Sequence, residues 1–181
     1  MAAPVSNDSD LLIRVDGNDR DLGTIAKRDA HLGAGTLHRA FSVFLFNSRG
    51  ETLLQRRALG KMLWGGYWSN SVCSHPRVGE EILDAAVRRV LQELNVAATD
   101  IKSIYAFVYR VPFKDIGSEY EYCYVFTGRL EQDPKPHPDE IMEWRWIKPA
   151  ELIDWVKREP HLFTPWFKQE LEELRKRDLL K

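Results

Sequence analysis

Residues 118–126 read SEYEYCYVF, and this alternation constrains the fold more than any other stretch of the chain. A period of two marks a β-strand, whose successive side chains point to opposite faces. One face carries Glu119, Glu121 and, one step further, Cys123; the other carries Tyr120, Tyr122 and Tyr124. If the glutamate face points inward, it holds a like-charge pair that needs a cation or a proton to neutralise it. If it points to solvent, the pair is an ordinary exposed Glu-x-Glu. A second strand, residues 101–111, precedes it across a connection at 112–117.

The rest of the chain supplies shorter segments. Residues 11–15 are a strand ended by a turn at 16–19, and an irregular stretch follows to Gly35, with Gly33 and Gly35 barring a helix from Ile25. Residues 38–46 and 51–57 form a hairpin around Asn47-Ser48-Arg49-Gly50. The stretch 58–76 has no period and reads as a long loop rich in aromatics (Trp64, Tyr67, Trp68). From Gly79 to about Asn95 a helix is predicted, with Leu83, Val87, Val90, Leu91 and Leu94 as its apolar stripe. Residues 141–147 alternate as a strand with Trp144 and Trp146 on one face, and helices open at Pro149 and at Thr164-Pro165, where Thr164 is the N-cap. Strands, a helix, more strands and then helices imply an α/β (α+β) fold: a mixed β-sheet sandwiched between helices.

Composition narrows the function classes. The chain has 181 residues, 26 Lys+Arg against 27 Asp+Glu and a net charge of -1. That length suits one domain, here 11–181 behind a flexible tail at 1–10. Near-zero net charge argues against partners held by bulk attraction, so neither nucleic acid nor a membrane surface is expected. No run reaches the ~18 apolar residues of a membrane span, and residues 1–10 lack the pattern of a signal peptide. Two cysteines make no disulfide framework, and the chain is expected in the cytoplasm.

Several clusters carry chemistry. His31, His38 and His75 together with Glu119 and Glu121 offer three imidazoles and two carboxylates, a donor set for a divalent ion such as Mn2+, Mg2+ or Zn2+. Cys73 stands two residues before His75, as a reactive thiol or as a small buried hydrophobe. On the helix after Gly79, Glu80, Arg88 and Glu93 fit three positions of a Nudix box, but Arg89 and Gln92 stand where two further glutamates are expected. Glu93 can hold one Mg2+ while Arg89 meets a phosphate; the plain alternative is a surface helix with pairs four residues apart.

Taken together, LHRAFSVFLFN (37–47), LLQRRALGK (53–61), WSNSVCSHP (68–76), RRVLQEL (88–94), EYEYCYVF (119–126) and FTPW (163–166) resemble the type 1 isopentenyl-diphosphate isomerases, a Nudix-like family. The resemblance implies metal ligands at His31, His38, His75, Glu119 and Glu121, and proton-transfer groups at Cys73 and Glu121 with Tyr109 as helper. It implies Mg2+ with the substrate diphosphate at Glu93, beside a further divalent ion at the histidines. Lys27, Arg57, Lys61 and Arg89 would surround the diphosphate and Trp166 the hydrocarbon. The implied partner is a small isoprenyl diphosphate. A Nudix-type diphosphate hydrolase and a non-catalytic metal- or diphosphate-binding module are the competing readings.

Overall fold

The computed structural model describes residues 5–180. Its strands are β1 (Leu11–Val15), β2 (Asp21–Ala26), β3 (His38–Phe46), β4 (Thr52–Arg57), β5 (Trp68–Ser69), β6 (Val72–Ser74), β7 (Thr99–Phe113), β8 (Gly117–Arg129) and β9 (Ile141–Ile147). Its helices are α1 (Lys27–His31), α2 (Ile82–Leu94), α3 (Pro149–Arg158) and α4 (Pro165–Lys176). β3 is the hub. It pairs in parallel with β8 along its whole length, with His38 opposite Glu121 and Ser42 opposite Val125. On its other side it pairs antiparallel with β6, Ser42 opposite Cys73, and meets β1 and β4 at its ends. β7 extends the sheet beyond β8, and β9 and β5 extend it beyond β4.

The period of β3 divides the core. Phe41, Val43 and Leu45 point to one face and pack with Phe126, Val72 and the α2 residues Ala85, Ala86, Val90 and Leu94. Phe44 points to the other, where it stacks on Phe167 of α4 at 6.0 Å, and Phe163 stacks on Phe167 at 5.6 Å. Each such ring removed from water contributes roughly 1.5–3 kcal/mol, so both layers are held by burial rather than by propensity. The expected sandwich of helices around a mixed sheet is present.

Four details differ from the sequence reading. The stretch before Gly35 is not irregular, because β2 pairs with β1 and α1 follows it directly. The stretch 58–76 contains β5 and β6, too short to show a period but held by the β4 and β3 ladders. The stripe on α2 is out of phase: Leu83, Val87 and Leu91 are exposed, whereas Ala85, Ala86, Arg89, Val90, Glu93 and Leu94 face inward. Two alanines let the helix approach the sheet closely, and Arg89 enters the interior because Glu93 and Glu140 neutralise it. Thr164 does occupy the cap position of α4, but its hydroxyl bonds Ser69 Oγ at 3.0 Å instead of the helix backbone.

Candidate active site

Period two decides the fate of the Glu-x-Glu pair: Glu119 and Glu121 are buried on the α4 side of β8, at 7% and 8% exposure. His38 comes from the paired position on β3 and is fully buried. His31 closes α1, and the next residue, Leu32, bridges to Gly117 at the start of β8. A side chain at Gly117 would put its Cβ 2.0 Å from the His31 carbonyl oxygen, so that approach requires glycine. His75 follows β6. Four elements thus bring the ligand atoms of His31, His38, His75 and Glu121 within 4.8 Å of one another.

The donor set suits a cation. His31 Nδ1 lies 2.6 Å from the Lys27 carbonyl and His38 Nδ1 lies 2.7 Å from the Thr36 carbonyl. A carbonyl only accepts, so each Nδ1 carries the hydrogen and each Nε2 of the neutral ring presents a lone pair to the cluster. There His38 Nε2 meets His75 Nε2 at 3.2 Å, and His75 Nε2 meets Glu121 Oε1 at 3.1 Å. Glu119 Oε2 lies 3.0 Å from His31 Nε2 without an aligned hydrogen bond, a buried oxygen left without a donor. Converging lone pairs of this kind are what a divalent cation would bind.

Electrostatics sort the members. Burial and the neighbouring His38 and His31 rings push His75 well below the usual imidazole range, so it is neutral. Burial also opposes charge on His31, but the Glu119 carboxylate outweighs it and raises the ring's proton affinity. Burial alone would raise both glutamates; His31 brings Glu119 below the ordinary carboxylate value, and the His38 ring and Tyr109 hydroxyl do so for Glu121. Tyr109 donates to Glu121 Oε2 at 2.6 Å, while burial and that carboxylate hold the phenol firmly protonated.

Cys73 is partly exposed on β6, and burial, with Glu170 adding to it, pushes its thiol up to about 12. Its Sγ lies 2.8 Å from Asn70 Oδ1. Asn70 is fixed, because its Nδ2 donates to the Val43 and Val72 carbonyls at 3.2 and 2.9 Å. Trp166 stacks on Tyr109 with centroids 6.2 Å apart, Trp64 meets its ring edge at 5.2 Å, and the Arg57 guanidinium sits over it at 5.4 Å.

One cavity of about 540 Å³ joins these parts. Cys73, His31, His75, Tyr109, Glu119, Glu121 and Trp166 line it, as do Lys27, Arg57, Lys61 and Arg89. Of the residues expected from sequence, His38 and Glu93 lie behind its wall. Glu93 takes two bonds from Arg89, at 3.0 and 2.7 Å, and Arg89 also lies 3.3 Å from Glu140. Glu140 is paired with Lys61 as well. The expected tail also reaches the cavity: the Val5 carbonyl accepts from Arg89 at 2.7 Å, and Ser6 bonds Lys27. Residues 1–4 of that tail lie outside the described residues.

Sequence reasoning missed Glu140, Asn70 and Ser42, and it missed Glu170, whose carboxyl is fully buried near Cys123. A signal for Glu170 was present: Trp166, Phe167, Glu170, Leu171 and Leu174 share one helical stripe, and a carboxylate within an apolar stripe is buried.

The NUDIX domain family matches residues 36–167. A protein of Photorhabdus laumondii named isopentenyl-diphosphate Delta-isomerase 1 is 42% identical over 164 residues, covering 90% of this chain and 93% of that one. An isopentenyl-diphosphate Delta-isomerase of Burkholderia multivorans is 43% identical, covering 86% and 88%. A crystal structure from Deinococcus radiodurans superposes with a TM-score of 0.67 at 24% identity, over 82% of this chain and 90% of that one. A MutT protein of Methanosarcina mazei superposes with a TM-score of 0.61 at 17% identity, over 80% and 96%; these two likenesses concern the fold alone.

Proposed function

Since this chain belongs to the isopentenyl-diphosphate Delta-isomerases, on the NUDIX fold, we propose that it interconverts isopentenyl and dimethylallyl diphosphate through Cys73 and Glu121. The observation that carries this reading is the placement of those two residues on strands that flank β3 from opposite sides, both lining one cavity with Trp166. Moving the double bond requires a proton to enter at the terminal alkene carbon and another to leave the neighbouring CH2. A tertiary carbocation lies between the two transfers, so an acid and a base must flank one carbon skeleton. Cys73 and Glu121 are the two proton-transfer groups, and Tyr109 hydrogen-bonds Glu121 and holds its orientation. The Trp166 face lies where cationic charge is stabilised, as its contact with the Arg57 guanidinium illustrates.

His31, His38, His75, Glu119 and Glu121 would hold the divalent ion, Mn2+, Zn2+ or Mg2+, which would fix Glu121 and lower its proton affinity. The resemblance assigns Mg2+ with the diphosphate to Glu93, but here Glu93 is buried behind the cavity wall and paired with Arg89, an arrangement that does not fit that role; Lys27, Arg57, Lys61 and Arg89 supply positive charge on that side of the cavity. Binding energy gained on the diphosphate is remote from the reacting carbons and orients them. Diphosphate hydrolysis is poorly served here, because Arg89 stands among the box carboxylates and is tied to Glu93 and Glu140. Incubation with isopentenyl diphosphate and Mg2+, with dimethylallyl diphosphate and free phosphate followed separately, tests the reading. Isomer without phosphate is expected; phosphate without isomer, or neither product, would overturn it. Among the described residues no helix is long and apolar enough to cross a membrane.

A further inference from the structure

Glu140 stands just before β9 and is 4% exposed, yet it lines the cavity together with Lys27, Arg57, Lys61 and Arg89. It is tied to two separate elements. Its carboxylate accepts from Lys61 Nζ, and its Oε1 lies 3.3 Å from Arg89 Nη2 on α2. Its backbone carbonyl accepts from the Ala58 N–H at 2.9 Å, at the start of the segment that carries Lys61. Burial opposes charge on Glu140, but Lys61 and Arg89 outweigh it and hold the carboxyl below its ordinary value. A wall that needed these two cations only for an anionic substrate would leave them open. Here a buried carboxylate already answers them.

The charges on that side of the cavity can be paired off. Arg89 is met by Glu93, which takes hydrogen bonds from it at 3.0 and 2.7 Å, and Lys61 is met by Glu140. Among the described residues, Lys27 donates to the Ser6 hydroxyl and Arg57 to the Leu63 carbonyl, both neutral. Four cations set against two carboxylates therefore leave two positive charges, those of Lys27 and Arg57. Glu119 and Glu121 face the histidines instead. Asp8 and Asp139 border the cavity as well, but both are exposed and screened by solvent. A diphosphate ester carries roughly three negative charges at neutral pH, up to two on the terminal phosphate and one on the inner. The wall falls one charge short of that anion, and Glu140 makes the difference.

We propose that Glu140 determines which form of diphosphate the site accepts: as the resident counter-anion of Lys61 and Arg89, it repels a bare diphosphate and admits one whose charge a divalent cation has reduced. The inference rests on the isomerase reading and deepens it. Selection of this kind comes from the unfavourable contact with the wrong form as much as from the favourable contact with the right one. It requires no metal ligand on α2, where Glu93 is turned to Arg89. It requires only the charge that accompanies the diphosphate from solution.

The test is calorimetric binding of inorganic pyrophosphate, in trace and in saturating Mg2+ without chelator, to the unaltered protein, Glu140→Gln and Glu140→Asp, with a melting temperature for each. The unaltered protein is expected to bind magnesium pyrophosphate at least about tenfold more tightly than bare pyrophosphate. Glu140→Gln keeps an acceptor for Lys61 but not the charge. It is expected to bind the bare anion about tenfold more tightly than the unaltered protein does, with the magnesium complex within about threefold, whereas Glu140→Asp keeps the discrimination. Equal changes for both forms in Glu140→Gln overturn the proposal and make Glu140 a brace between Lys61 and Arg89. A Glu140→Asp variant that discriminates no better than Glu140→Gln overturns it too. So does an unaltered protein that binds both forms alike, a result that depends on no variant folding. Dimethylallyl diphosphate formed by the unaltered protein is followed in parallel. Its absence overturns the isomerase reading and this inference with it, whereas isomer formation beside unchanged selectivity in Glu140→Gln overturns this inference alone.

Discussion

Glu121 and Glu170 are both buried on the α4 side of the sheet, yet their surroundings treat them oppositely. Around Glu121, the His38 ring and the Tyr109 phenol outweigh burial, and its proton affinity falls below the ordinary value. Around Glu170 stand thiols, a serine and another carboxylate, and its affinity rises to about 8. The same side chain at similar depth is an anion in one place and a neutral acid in the other. Depth alone does not set the charge of a buried carboxyl; the donors within reach do. Cys73 touches both regions, lining the cavity with Glu121 and meeting Ser42 on the side of Glu170.

The most severe break of this arrangement is Cys73→Ala, which is expected to lower turnover by about 10²–10⁴-fold while metal content and diphosphate affinity persist. Steady-state kinetics beside metal analysis decide it, and near-normal turnover would remove Cys73 from the chemistry. His38→Ala attacks the region around Glu121 instead. It takes one donor from a shared cluster, so bound divalent ion and most activity should disappear together. A full complement of ion in the purified variant would show that His38 is no ligand.

Glu170→Gln sharpens the other side. The folded protein keeps the proton up to about pH 8, whereas the unfolded chain releases it near 4.5. Between those values the folded state binds more protons, so this group lowers stability as pH rises, by roughly 3–5 kcal/mol in all. Denaturant titrations from about pH 5 to about pH 8 should therefore show the variant gaining on the unaltered protein as pH rises; parallel curves would mean that Glu170 is ionised in the fold. The smallest effect is expected of Tyr105→Phe. The Tyr105 hydroxyl is buried without a partner on the Glu170 side, so its loss should leave turnover intact and change stability by less than about 1 kcal/mol, towards greater stability. A clear destabilisation would show that the hydroxyl has a partner.

The sheet face of the site was legible because a strand's period is two: placing Glu119 on one face obliges Glu121 and Cys123 to join it. The sandwich followed from the order of segments. The face of α2 was not legible, since Leu83, Val87 and Leu91 outweigh Arg89 and Glu93 on any hydropathy scale. The local pair with Glu93 is joined by a tertiary pairing with Glu140, distant in sequence, and together they make it favourable to bury that arginine. Residue types suggested the histidine ligands and the resemblance chose among them, but the parallel register of His38 against Glu121 has no local signature. Lys27, Arg57, Lys61 and Arg89 do line the cavity, whereas Glu93 turns to Arg89 behind its wall.

That parallel register also bears on the order in which the molecule assembles. β3 and β8 run side by side, yet β4, β6, α2 and β7 intervene between them in the chain. Loop closure over such a separation is slow and yields nothing until the strands meet. A chain emerging from the ribosome can build β1, β2 and β3, but it holds only histidines for the cluster until β8 has been synthesised. The hairpin of β7 and β8 is local in sequence, whereas its docking on β3 joins segments far apart in the chain. Mutations along the β3–β8 ladder should therefore slow folding more than they speed unfolding. A cation held by that cluster would bind only after this stage, to a topology that the chain has reached without it.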